Sequence, residues 1–144
     1  MGKVQILAVL TMDGCLSSEL YDKAHQDLCL DRCGLDEIRK KAFYRVTPDY
    51  SISMLHEWRK DCTNIRYLAE ATPDTADYIN GLLRMHAVDE IILYTVPFIS
   101  GSGRHFFKSA LPEQHWTLSS LKSFPNGVCP VSYTHLTLPT TPYV

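Results

Sequence analysis

The chain has no apolar run near the ~18–20 residues that a membrane-spanning helix needs. It has no excess of positive charge either: 14 Lys and Arg stand against 16 Asp and Glu, a net charge of −2 over 144 residues. The first absence argues against a membrane partner. The second argues against a nucleic-acid partner held by phosphate neutralisation. The N-terminus lacks the charged, apolar and small-residue succession of an export signal, since Met1-Gly2-Lys3 leads straight into Val4–Leu10. With five cysteines, an odd count, reduced thiols and a cytoplasmic location are expected. Only Cys29 and Cys33 lie close together, and no second Cys/His pair completes a zinc site; His25 and His56 are isolated. Partly buried thiols are the simpler account, with a metal or redox sensor on that pair as the minor alternative. No serine or cysteine nucleophile motif, Walker loop or paired-carboxylate spacing is present.

Charge is also missing from the end of the chain. After Lys122 there is no Asp, Glu, Lys or Arg, and Pro139 and Pro142 obstruct both helix and strand. Val131 to Thr140 resembles the in-frame translation of the transposase adapter used in tagmentation sequencing libraries. Residues 1–129 are therefore expected to form the domain. Residues 130–144 are expected to be adapter-derived and to stand outside it, packing poorly or pairing only at a sheet edge.

What is present alternates strand and helix signals within a length suited to one domain. Val4–Thr11 is a continuous β-prone run, expected in a sheet interior beside Ile65–Ala69 or Ile91–Val96. Asp13-Gly14 ends it as a turn. A helix is expected over Leu35–Tyr44, with Leu35, Ile38 and Ala42 inward and Arg39, Lys40 and Lys41 in water. Ser51–Leu55 is either a short strand or the start of a helix to Lys60. Thr72-Pro73-Asp74 starts another helix, with Thr72 as its cap and Ala76, Ile79, Leu82 and Leu83 as the buried stripe. Ile91–Ile99 is the strongest strand signal, and Pro97 must sit near its end. Trp116–Phe124, Pro125-Asn126-Gly127 and Val128-Cys129 read as a hairpin whose second strand is cut short.

Few residues carry chemistry. Asp13, at a strand end beside a glycine, can orient a ligand amide or relay a proton, or simply make a turn. Asp89-Glu90 reads as a strand-opening cap or ion-pair feature. Gly101-Ser102-Gly103 can present backbone N–H groups to a ligand, with Arg104 and His105 beside it, or be a plain surface loop. Trp58 and Trp116 are expected in the core or an interface.

The strand ending in Met12-Asp13-Gly14 resembles the opening of the dihydrofolate reductase-like superfamily, in its riboflavin-biosynthesis reductase branch. Leu82–Val88, Asp89-Glu90, the run to Pro97, Gly101-Ser102-Gly103 and Phe106-Phe107 resemble the branch's helix, Asp-Glu, β run, Gly-x-Gly and phenylalanine. Leu121–Val128 resembles its final hairpin. The resemblance implies an α/β fold with a mixed, mostly parallel sheet flanked by helices, here reduced in size. It also implies NADPH as hydride donor to a pteridine-like or riboflavin-precursor-like small molecule, and a homodimer. Asp13 takes the catalytic position. The cofactor-binding positions are Glu70, Ala71, Thr72, Thr75, Gly101, Ser102 and Gly103. Two departures stand out. No Gly-Arg-Thr segment is found to meet the cofactor phosphates, and Glu70-Ala71-Thr72-Pro73 replaces the glycine pair before the helix. Ala71 adds a Cβ, Pro73 removes an N–H donor, and Asp74 brings a negative charge to the helix end that would attract phosphate. The alternative is a catalytically inactive remnant of the fold that binds a ligand or a partner chain.

Overall fold

The structure is a computed structural model and describes residues 2–16, 34–42, 44–61, 65–97, 99, 101, 105–108 and 111–135. The elements, in chain order, are β1 (Lys3–Leu10), α1 (Leu35–Lys41), β2 (Tyr44–Arg45), α2 (Ile52–Asp61), β3 (Arg66–Glu70), α3 (Ala76–Arg84), β4 (Glu90–Thr95), β5 (Thr117–Leu121) and β6 (Cys129–Thr134). Cys29, Cys33 and Cys62 lie outside the described residues, and so does the question of a metal or redox site on the first two.

Every residue of β1 after Lys3 is buried, and a strand buried on both faces needs cover on both. The sheet provides it. Its order is β2-β3-β1-β4-β6-β5. β1 runs parallel to β3 on one side and to β4 on the other, with Ile6 opposite both Ala69 and Ile91. One face packs Val4, Ile6, Ala8 and Leu10 against Leu55 of α2 and Ile79, Leu82 and Leu83 of α3. The other packs Leu7, Val9, Ile92 and Tyr94 against Leu35 of α1. This is the expected mixed, mostly parallel α/β sheet, with the chain's first strand at its centre.

Two boundaries differ from expectation and one open alternative is decided, each for a local reason. α1 stops at Lys41, and Ala42 is already extended. Tyr44 then joins the sheet edge opposite Tyr67, the two rings stacked at 5.5 Å. A two-residue strand has no periodicity to read. Ser51 opens a helix, its hydroxyl accepting from Met54 N at 3.1 Å as an N-cap does. α3 begins after a turn, with Thr75 rather than Thr72 in the cap position.

The third expectation to give way is the boundary at Cys129. β6 pairs antiparallel with β4 from Thr95↔Cys129 to Glu90↔Thr134, and β5 pairs with its other side. Residues 130–134 thus fill an interior position in the sheet, not an edge, and Pro130 is buried. Ladder pairing is made by the main chain and asks little of side chains, so a β-prone segment of any origin can complete it. Residues 136–144 lie outside the described residues.

Two local devices hold the frame. Asn80, fully buried in α3, donates to Ala76 O and Phe106 O at 2.8 Å and accepts from Lys108 N at 3.0 Å. It fastens the 106–108 segment to the helix. At the other end of α3, Ala87 N donates to Leu82 O (2.9 Å) and His86 N to Leu83 O (3.2 Å), the pair of bonds that closes a Schellman motif. The left-handed position of that motif is held by His86, at φ 54°, where glycine avoids the Cβ clash. His86→Gly is therefore expected to stabilise the fold by ~0.5 kcal/mol, after its greater freedom in the unfolded chain is allowed for. A denaturant midpoint that falls would show that the His86 contact with Gln114 outweighs the strain.

Candidate functional site

β1, β3 and β4 are parallel, so their carboxyl ends share one edge of the sheet, where open α/β sheets collect ligands. The loops that leave these ends hold the expected residues. After β1, Gly14 N donates to Thr11 O at 3.0 Å, and Gly14 takes φ +81°, which explains glycine there. The turn brings Asp13 back over Thr11. The Thr11 hydroxyl, on a residue only 2% exposed, donates to Asp13 Oδ1 and accepts from Cys15 N at 3.1 Å. Asp13 Oδ2 accepts from Gly101 N at 3.0 Å and lies 3.7 Å from the Cys15 thiol. Cys15 is bridged to His105, and Phe106 N donates to Gly14 O at 3.2 Å.

Asp13 and Gly101, far apart in sequence, are thus in direct contact. Gly101 N–H is turned toward a carboxylate of the chain itself. Ser102, Gly103 and Arg104 lie outside the described residues.

After β3, the Thr72–Thr75 turn is closed by its own hydroxyls. Thr75 Oγ1 accepts from Thr72 N at 2.8 Å and donates to Glu70 O at 2.9 Å, while Thr72 Oγ1 accepts from Thr75 N at 3.2 Å. Ala71 N donates to Leu7 O at 2.8 Å, continuing the sheet ladder. Three backbone N–H groups at the expected phosphate cradle are engaged within the chain. Glu70 looks the other way. One of its oxygens accepts from Arg39 and the other from Arg45 Nη1 at 3.3 Å.

Arg39 and Arg45 escaped the sequence reading. Arg39 sits in a run of three basic residues expected to face water, yet its side chain is only 22% exposed against Glu70. Only the fold brings α1 over the end of β3. Thr11 had a faint signal, a hydroxyl two positions before an Asp-Gly turn. Asp89 meets its expectation as a strand-opening residue, its carboxylate accepting from Val4 N at 2.9 Å. Trp58 packs at 6.2 Å on Tyr67 in the core, and Trp116 against the same cluster. The Tyr78 hydroxyl donates to Tyr50 O at 2.7 Å in this region. Burial, and then Tyr50, raise its pKa above the usual tyrosine value.

No family model matches the sequence, and neither does any curated protein. Solved structures do. A protein of Shewanella sp. PV-4 assigned to riboflavin biosynthesis superposes with a TM-score of 0.60 at 12% identity, over 92% of this chain and 98% of its own. Acinetobacter baumannii RibD gives 0.57 at 13% identity over 94% of this chain. Enterococcus faecalis dihydrofolate reductase, solved with NADP(H), gives 0.55 at 10% identity over 93% of this chain and 96% of its own. The chain has the dihydrofolate reductase-like fold.

That fold, shared with riboflavin-biosynthesis reductases, accounts for the parallel core and the closing antiparallel hairpin together. The chain spans 58% of the length of the Acinetobacter RibD. Among the described residues no helix is long and apolar enough to cross a membrane, and no group of three or more His, Cys, Asp or Glu side chains could hold a metal ion.

Proposed function

We propose that the chain is a cytoplasmic, NADPH-dependent reductase of a pteridine or riboflavin-precursor-like heterocycle. The observation that carries this reading is the convergence of Asp13, Gly101, Thr75 and the Arg39–Glu70–Arg45 group on one carboxyl edge of a reductase-type fold. Two arginines on one carboxylate leave a net positive charge at the end of β3, and Arg45 is half-exposed. That fits a cofactor phosphate. NADPH, when bound, supplies the hydride. Asp13, held by the Thr11 hydroxyl and Gly101 N–H, presents a carboxylate to the donor edge of a heterocycle. Ala71, Thr72 and Thr75, with Ser102 and Gly103, complete the cofactor side in this reading. A homodimer through the edge strand β5 would cover Leu118 and Leu121, which are 52% and 60% exposed.

The residues fit the cofactor only in part, and this favours a second reading, a remnant that binds a ligand without turnover. The N–H groups of Thr72 and Thr75 are already satisfied by hydroxyls, Pro73 has none, and Asp74 opposes an anion. NADPH is therefore expected to bind worse than ~100 μM, a free energy no more favourable than about −5.5 kcal/mol. Ala71→Gly with Asp74→Asn is expected to tighten binding by a few fold, since a first-turn charge is worth ~0.3–1 kcal/mol. Fluorescence titration and NADPH oxidation in the presence of a pterin decide. Micromolar binding with steady oxidation sinks the remnant. No binding by either the wild type or the double variant sinks the reductase.

A further inference from the structure

The carboxyl-edge site leaves one buried polar side chain of the central strand unexplained. Gln5 is 4% exposed and lies toward the amino end of β1, opposite Glu90 in β4. Its Nε2 donates to the Glu90 carboxylate. Its Oε1 receives no hydrogen bond from any described residue. A buried amide oxygen without a donor destabilises the fold unless a group from outside satisfies it.

Gln5 lines a groove of about 230 Å³ on the α1 face, between α1 and the β4–β6–β5 end of the sheet. Gln5, Glu90 and Arg66 line it near the amino ends of the parallel strands, with Lys41 of α1 contributing to the wall. The Tyr94↔Pro130 pair and Lys122, whose N–H donates to Pro130 O, line its other end. Among the described residues none of Lys41, Arg66 and Lys122 has a carboxylate partner. These cations outnumber the two carboxylates of the groove, Glu37 and Glu90. Two demands therefore meet in one cavity: cations without counter-charges, and a buried acceptor without a donor. An inorganic anion answers only the first, and a neutral amide only the second.

We propose that this groove is a second ligand site, which binds a small organic anion that also carries an N–H donor. The carboxylate pairs with Arg66 at the amino-end side of the groove, the N–H reaches Gln5 Oε1, and Ile92 and Tyr94 offer apolar cover for the rest of the molecule. The volume is below the ~300–1,000 Å³ of drug-sized pockets, which points to a molecule the size of an N-acyl amino acid. The site is independent of NADPH and of turnover.

Hippurate, with its amide N–H, and 3-phenylpropionate, without one, test the idea on the full chain by NMR titration. Hippurate is expected to saturate and to shift the Gln5 side-chain amide signals, with a Kd ~10-fold lower than that of 3-phenylpropionate. Gln5→Leu, which keeps an apolar side chain in the strand, is expected to reduce the two ligands to near-equal affinity. Arg66→Gln, at an exposed position, is expected to weaken both anions and keeps the test alive if Gln5→Leu does not fold. Asp13→Asn is expected to leave hippurate binding unchanged even if it alters NADPH binding, which separates this site from the reductase reading. No saturation at ~10 mM hippurate, equal affinity of the two probes for the wild type, or a hippurate advantage that survives Gln5→Leu would each overturn the proposal.

Discussion

Asn80→Ala is expected to lower the melting temperature by about 10 °C, through a loss of about 3 kcal/mol. The alanine strips Phe106 O of its donor and Lys108 N of its acceptor inside a region where Asn80 itself has no exposure. Each abandoned buried group costs ~1–3 kcal/mol unless water reaches it. Asn80→Asp keeps an acceptor for Lys108 N but places a charge beside two carbonyl oxygens, so it is expected to be at least as damaging. Thermal melts followed by circular dichroism measure both. Hydrogen exchange of the Lys108 amide should rise before that of the β1 amides, because its acceptor is the Asn80 side chain. A melting temperature within ~2 °C of the wild type would mean that the segment is held by something else.

A chain ending at Cys129 is expected not to fold. β6 gives β4 its outer neighbour over the whole strand and β5 its paired neighbour, so its loss opens both ladders at once. Removing it forfeits a sum comparable with the ~5–15 kcal/mol by which domains of this size are stable. The far-ultraviolet spectrum and amide dispersion of the truncated chain report the outcome, and a native-like spectrum would show that the tail is dispensable. Replacing residues 131–134 with another β-prone tetrapeptide is expected to restore folding, because the main chain does the pairing. Resequencing the source locus addresses the separate matter of origin. Reads that run through Val131–Val144 and on past a native stop would remove the adapter proposal without touching the fold.

Much of the sheet was legible because its signals are local. A run of apolar residues on successive positions, as in Val4–Leu10, can only be satisfied by cover on two faces, and this put β1 inside the sheet before any neighbour was known. The stripe of Ala76, Ile79, Leu82 and Leu83 is buried as its helical spacing required. Pro97 follows β4 as a residue without an N–H must. The helix start was placed at Thr72, three residues early, because a threonine followed by proline and aspartate is a cap by composition. The Thr72 hydroxyl does accept from Thr75 N, but within a closed turn, and the helix begins only after that turn.

The site was legible only as separate pieces. Asp-Gly and Gly-x-Gly each mark a turn, but no spacing in the chain says that Gly101 N–H will meet the Asp13 carboxylate. Arg39 looked like a solvated charge because it opens a run of three basic residues, although four residues on from Leu35 it lies on nearly the same helix face. Glu70 comes within reach only after α1 crosses the end of β3. Gln5 interrupts an apolar run without a pattern of its own. Its meaning depends on Glu90 and on the groove above them. Composition and periodicity determined which segments become strands and helices and which faces are buried, since those follow from each residue's own preference for water or backbone geometry. Tertiary structure alone decided which polar groups meet, because hydrogen bonds and ion pairs act over a few ångströms between residues whose separation along the chain carries no signal.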